Sequence, residues 1–177
     1  MSSLAEQQAA RVRAIIFDVD GVLTDGGLIY HADGESKVFN VRDGHGIVLA
    51  RLAGIRTAFL TGRSSEVVRR RAAELKIDAL REGVVRKGEA LDGLLQELGV
   101  RADQTCYVGD DLVDLAVLRQ VGFPVTVADA VPEVRDAASW IAPSRGGQGA
   151  AREIVEFILK ASGRWDEIVE RHVRERY

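Results

Sequence analysis

The feature that most constrains this chain is a short apolar run that ends in acid. Ala14-Ile15-Ile16-Phe17 is continuous and uncharged, the pattern of a parallel strand buried on both faces, and Asp18-Val19-Asp20-Gly21-Val22-Leu23-Thr24-Asp25-Gly26 follows at once. Such a strand belongs to an open sheet covered by helices, where ligands gather outside the carboxyl ends of the strands. Asp18 and Asp20 stand at that end. Residues two apart on leaving an extended segment face the same side, so their carboxylates converge on one small volume. Like charges held together raise one another's proton affinity unless a cation or hydrogen-bond donors intervene. The pattern calls for a metal ion or one protonated partner. An acidic turn bonding its own backbone is the simpler alternative for an isolated pair.

Beyond this stretch the chain alternates strand and helix. Strands are expected over about 12–17, 56–60, 79–80, 105–108, 124–127 and 140–141, and helices over about 43–52, 64–75, 87–98, 112–119, 131–137 and 150–161. A weakly specified helix precedes them over 3–10. Asp33-Gly34, between the β-prone segments 28–31 and 36–39, signals a hairpin. The expectation is an α/β fold: a three-layer α/β/α sandwich around a mainly parallel sheet, with right-handed crossovers. One domain is expected over 1–177, with a small β-hairpin insertion at about 27–41, no cap domain, and a charged helical tail at about 163–177. That tail fits either the surface of its own chain or a neighbouring subunit.

Composition narrows the class. With 46% hydrophobic and 29% charged residues, a chain of 177 residues has enough apolar content for a full core without staples. A net charge of −3 gives no electrostatic reason to expect nucleic acid or an anionic membrane as partner. No run of about 18 apolar residues and no leader pattern occurs. The lone Cys106 lies in an expected core strand, so no internal disulfide forms. A cytoplasmic protein is expected.

If Asp18 and Asp20 were turn residues only, the other strand ends would be plain. Instead 56–60 ends in Thr61-Gly62-Arg63, 105–108 ends in Gly109-Asp110-Asp111-Leu112-Val113-Asp114, and Lys87 opens the helix after the weak strand. Carboxylates, a hydroxyl and an ammonium aimed at one crevice suit phosphoryl transfer. Mg²⁺ takes oxygen ligands and keeps waters, while threonine and lysine supply donors to phosphoryl oxygens.

The order D-x-D-G-V-L-T-D-G, then T-G-R, then a lysine, then G-D-D-x-x-D resembles the haloacid dehalogenase superfamily, with all its motifs in sequence across most of the chain. The resemblance implies a phosphoric monoester hydrolase that works through an aspartyl phosphate. It makes Asp18 the nucleophile and Asp20 the general acid and then base, and gives Mg²⁺ to the Asp18 carboxylate, the Asp20 carbonyl and Asp110. Thr61, Gly62 and Lys87 carry over as phosphate-binding groups. Asp114 becomes a support for Lys87 or for a metal-bound water. Asp111 is left open between a direct role and a helix-starting acid.

Finer pieces resemble one subgroup, the tetrameric phosphatases of eight- and nine-carbon keto sugar acids: Phe39-Asn40-Val41-Arg42-Asp43-Gly44, Val127-Ala128-Asp129-Ala130, and Gly146-Gly147 with Gly149-Ala150 and Arg152-Glu153. This implies a homotetramer built on the hairpin and a small-molecule sugar phosphate as partner. Arg63 after the Thr-Gly pair points to 3-deoxy-D-manno-octulosonate 8-phosphate, on the route to lipopolysaccharide, over a nine-carbon keto acid or a general sugar phosphate. His45 departs from the aromatic expected there. Arg63, Asp43, Gly44 and Arg71 are candidate sugar contacts. For Asp43 a helix cap is the equal alternative, for Arg71 a solvated helix face within Arg69-Arg70-Arg71, and for the 146–149 glycines simple loop punctuation. His31 and His172 read as surface residues that form no metal cluster with His45. The reading from another class is a phospho-accepting receiver domain, which lacks a second acid two residues after its phosphoacceptor.

Overall fold

The four residues Ala14–Phe17 have no contact with solvent, and they form the strand around which everything else is laid. The computed structural model describes residues 2–174. The chain enters through α1 (Leu4–Ala10) and β1 (Ala14–Phe17), then makes a hairpin from β2 (Ile29–His31) and β3 (Gly34–Ser36). It continues through α2 (Val41–Leu52), β4 (Arg56–Leu60), α3 (Glu66–Leu75), β5 (Ala79–Arg81), α4 (Lys87–Leu98), β6 (Thr105–Gly109) and α5 (Leu115–Leu118). β7 (Phe123–Thr126), α6 (Pro132–Ala137), β8 (Trp140–Ile141), α7 (Ala150–Ala161) and α8 (Trp165–Arg174) complete it.

The main sheet has six strands in the order β5-β4-β1-β6-β7-β8, and every pairing in it is parallel. Strand order reverses between β1 and β6, the place where open α/β sheets form their ligand crevice. α2 packs with α3 and α7, and α7 with α1; α4, α5 and α6 pack in succession as a second group. The β1, β6 and β7 residues are buried throughout, because both faces are covered.

Helix starts follow local chemistry. Ser3 and Glu6 close α1 with a reciprocal capping box, a signal that makes the helix better specified than its short apolar pattern indicates. The expected Asp43 cap of α2 is corrected: Asn40 is the cap, its side chain accepting from Arg42 N at 2.8 Å. The expected helix at 112–119 is split into a 3₁₀ turn, Leu112–Asp114, and the short α5, because Asp111 and Asp114 form a capping pair at its start. The hairpin is tighter than expected. His31 pairs with Gly34, leaving Ala32-Asp33 as the turn.

The tail is helical over α8 and lies on its own chain. Ile168 is buried, Trp165 sits beneath Arg152 and Lys160, and the His172 ring meets His45 edge-on at 4.8 Å. Residues 175–177 of the expected tail lie outside the described residues. Among the described residues no helix is long and apolar enough to cross a membrane.

Candidate active site

Strand ends meet in a crevice of about 400 Å³ beside β1, lined by Asp18, Asp20, Thr61, Gly62, Arg63, Lys87, Asp110 and Asp111 together with Val84, Val85 and Val113. The loop leaving β1 is wound tightly, with the Val19 carbonyl accepting from the backbone N–H groups of Val22, Leu23 and Thr24. Gly21 adopts φ 89°, and a Cβ there would lie 2.0 Å from an Asp110 carboxylate oxygen, so only glycine lets the two loops approach. Gly146 and Gly147 lie against the same loop: Gly147 N donates to Val22 O at 2.9 Å, and a Cβ on Gly146 would lie 1.8 Å from Gly21 O. The glycines after β8 are thus a backbone clamp on the loop that carries Asp20.

Lys87 reaches the crevice from the first residue of α4. Its Nζ lies 2.9 Å from Asp18 Oδ1 and 2.7 Å from Asp114 Oδ1. Asp114 is fully buried and its acceptor sites are taken. Tyr107 donates to Oδ1 at 2.6 Å, and Asp110 N and Asp111 N donate to Oδ2 at 2.9 and 3.2 Å. Asp114 therefore supports Lys87 and the turn after β6. Asp111 bonds Leu112 N at 2.7 Å, the helix-starting use of an acid.

The remaining carboxylates are crowded. Asp18, Asp110 and Asp114 each offer an oxygen, all within 4.8 Å of one another. Burial, opposed by Lys87, pushes the Asp18 carboxyl up to about 6, and burial with the Asp18 charge pushes Asp110 up to about 7. Asp110 Oδ1 is buried without a hydrogen-bond partner. A buried acceptor left open beside a second carboxylate is what a hard cation with oxygen ligands fits. This acidic cluster suits Mg²⁺.

Three expected sugar contacts lie elsewhere. Asp43 is 1% exposed and accepts from Gly149 N at 3.1 Å and Arg152 N at 2.9 Å, so it caps α7 instead of α2. Burial raises its pKa against those bonds. Arg71 stacks over Phe39 at 5.4 Å, pairs with Glu74 and packs against Gly44. Asp43, Gly44 and Arg71 surround a small separate hollow and do not line the crevice. Arg63 does line it, though its guanidinium is engaged with Glu35 at 3.0 Å. A roomier hollow of about 680 Å³ near the start of α7 holds Glu153 and Glu156, but these are tied to Ser144 and to Arg152 and Lys160.

Sequence reasoning missed two partners of the site. Tyr107 was hidden within an apolar strand, and Lys37, on the segment after β3, belongs to no motif, yet its Nζ is ion-paired with Asp20. The alternation of Lys37 and Phe39 inward with Val38 outward was the available signal.

Comparison with known proteins agrees with this geometry. The sequence pattern of the haloacid dehalogenase-like hydrolases matches residues 80–154. The chain is 44% identical over 160 residues to a 3-deoxy-D-manno-octulosonate 8-phosphate phosphatase of Haemophilus influenzae, covering 90% of this chain and 89% of that one. A crystal structure of the phosphatase of that name from Moraxella catarrhalis, in complex with magnesium ion, phosphate ion and a KDO molecule, superposes with a TM-score of 0.91 at 40% identity, covering 95% of this chain and 97% of that one. A probable phosphatase from Pseudomonas syringae gives a TM-score of 0.94 at 42% identity, over 99% of this chain and 100% of that one. The chain belongs to the haloacid dehalogenase-like hydrolases.

Proposed function

We propose that this protein is a Mg²⁺-dependent phosphatase that hydrolyses 3-deoxy-D-manno-octulosonate 8-phosphate to the free sugar acid and inorganic phosphate, in the cytoplasm and on the route to lipopolysaccharide. The observation that carries the chemistry is the Asp18–Lys87–Asp114 chain beside the unpartnered Asp110 oxygen. The substrate rests on the likeness to phosphatases of that ester at 43–44% identity over 90% of the chain.

In this reading Asp18, Asp110 and the Asp20 carbonyl hold Mg²⁺, which supplies the positive charge that lets anionic carboxylates and an anionic phosphoryl group share the crevice. Lys87 holds one Asp18 oxygen at 2.9 Å, orienting the carboxylate and offering a cation to the phosphoryl oxygens. Thr61 and the backbone at Gly62 complete the phosphate cradle. Asp18 attacks phosphorus; the bond from phosphorus to the sugar oxygen breaks, and that oxygen takes the Asp20 proton. Asp20, now a carboxylate, accepts a proton from water as the water oxygen attacks phosphorus. The bond to Asp18 breaks, and phosphate leaves. Asp20 lies two residues from the nucleophile on the same crevice wall, a relation that a phospho-accepting receiver does not need.

The hairpin leaves Ile29, Tyr30 and Val38 exposed, which supports assembly into a homotetramer through that element. Incubation with the octulosonate ester is expected to release phosphate only when Mg²⁺ is present, and Asp18→Asn to lower turnover by on the order of 10⁴-fold or more. Turnover of a nine-carbon keto acid phosphate with none of the eight-carbon ester would overturn the substrate and leave the class standing.

A further inference from the structure

Asp20 is the proton donor in the reading above, and the question is what aims it. Its carboxylate is gripped from outside the phosphate cradle. Lys37 Nζ pairs with Oδ1, and Arg63 Nε lies 3.8 Å from Oδ2. Behind these cations stands Glu35, with one oxygen 3.0 Å from Arg63 Nη2 and the other 3.9 Å from Lys37 Nζ. Asp20, Lys37, Glu35 and Arg63 thus close a ring of alternating charge. With Asp20 ionised the ring is neutral; with Asp20 carrying the proton it donates, the ring has a net charge of +1, which suits a crevice that must admit a phosphate ester.

Lys37 is its innermost member. Its side chain is 0% exposed, whereas Arg63 is 42% exposed and also touches Tyr30 at 3.4 Å. A surface ion pair between two mobile side chains contributes little, because ordering them offsets the attraction. A buried ammonium on the segment that follows the hairpin has lost that freedom before substrate arrives. The Lys37 ammonium meets Asp20 and, at 3.9 Å, Glu35. We propose that Lys37 is a positioning residue for Asp20: it holds the carboxyl group toward the departing sugar oxygen, with Glu35 and Arg63 locking Lys37 in turn. It acts through Asp20 and does not itself touch the phosphoryl group.

This inference rests on the assignment of Asp20 as proton donor, and the experiment separates the two. A sugar alkoxide needs a proton to leave, whereas an aryl oxide such as 4-nitrophenolate departs without one. Rapid-quench measurement of the first half-reaction is made with the octulosonate ester and with 4-nitrophenyl phosphate. Lys37→Gln is expected to lower the alkyl-ester rate by about 10–100-fold, the cost of a misplaced catalytic group, with KM within about threefold of wild type. The ratio of alkyl to aryl rates is expected to fall at least tenfold, and Lys37→Arg to restore most of it. An equal fall for both esters, or a raised KM with kcat unchanged, would overturn the proposal by making Lys37 structural or substrate-binding.

A wild-type crystal structure with Mg²⁺ and a phosphate analogue supplies the check that needs no variant to fold. Lys37 Nζ must stay within hydrogen-bond distance of Asp20, and a lysine turned to solvent or substrate overturns the proposal. Undiminished turnover by Asp18→Asn or Asp20→Asn would instead sink the underlying reading, whatever Lys37 does.

Discussion

Burial raises the Asp18 and Asp110 carboxyls, with the Asp18 charge adding to the second, and this gives the metal-free protein a pH signature. Both carboxyls titrate above their ordinary 3.8, at about 6 and about 7. A carboxyl whose pKa is raised on folding binds protons more tightly in the native state. Its favourable contribution is complete below about pH 4 and is lost as pH rises through 6 to 7. In metal-free protein these two groups are expected to lower Tm between pH 5 and pH 8, and added Mg²⁺ to raise Tm more at pH 8 than at pH 5; thermal scans with and without chelator measure both. Asp110→Asn is expected to flatten that decline while abolishing Mg²⁺-dependent turnover. A steeper decline in this variant would mean that Asp110 is not one of the crowded charges. At this scale the sequence was legible where chemistry sits in a motif: Asp18, Asp20, Thr61, Lys87 and Asp110 do converge. Lys37 was legible only as an inward position of an alternating segment and Tyr107 not at all, because their partners Asp20 and Asp114 are reached through tertiary packing.

Among the elements, strands covered on both faces were the easiest to read, since a continuous apolar run has few other uses in a chain of this kind. α7 was equally clear from its apolar face, and its span 150–161 matches the structure. Capping was harder. Asp43 belongs to α2 in sequence but satisfies the first N–H groups of α7, more than a hundred residues on. An acid three residues into a helix can serve its own helix or another, and only the packing of α2 on α7 decides which. Asp43→Ala is therefore expected to cost about 2 kcal/mol in denaturant melts, from one lost cap and the stranded N–H groups, with substrate KM changed less than about twofold. A large rise in KM at unchanged stability would return Asp43 to the substrate.

For the molecule as a whole, the hairpin is an exposed apolar feature, with Ile29 at 52%, Tyr30 at 69% and Val38 at 70% exposure. A solution mass four times that of the chain is expected, and Ile29→Glu is expected to drive the assembly toward smaller species; light scattering reads both. A wild-type mass equal to one chain would remove the tetramer. The sequence-based expectation of a mainly parallel sheet holds, and the order of its strands explains where the site formed. That order also has a consequence for how the protein is made. β1 leaves the ribosome before β4 and β6, yet it is the middle of the sheet, flanked by both of them. The loop after it is fastened by Gly146 and Gly147, which emerge far later. Contacts so distant in sequence form late, because the intervening chain must first be ordered. The loop that carries Asp18 and Asp20 therefore waits, between an apolar strand and its own acids, until residues 146 and 147 have emerged. Until then the acids of the future site also keep its most hydrophobic strand from being an uncharged, sticky end.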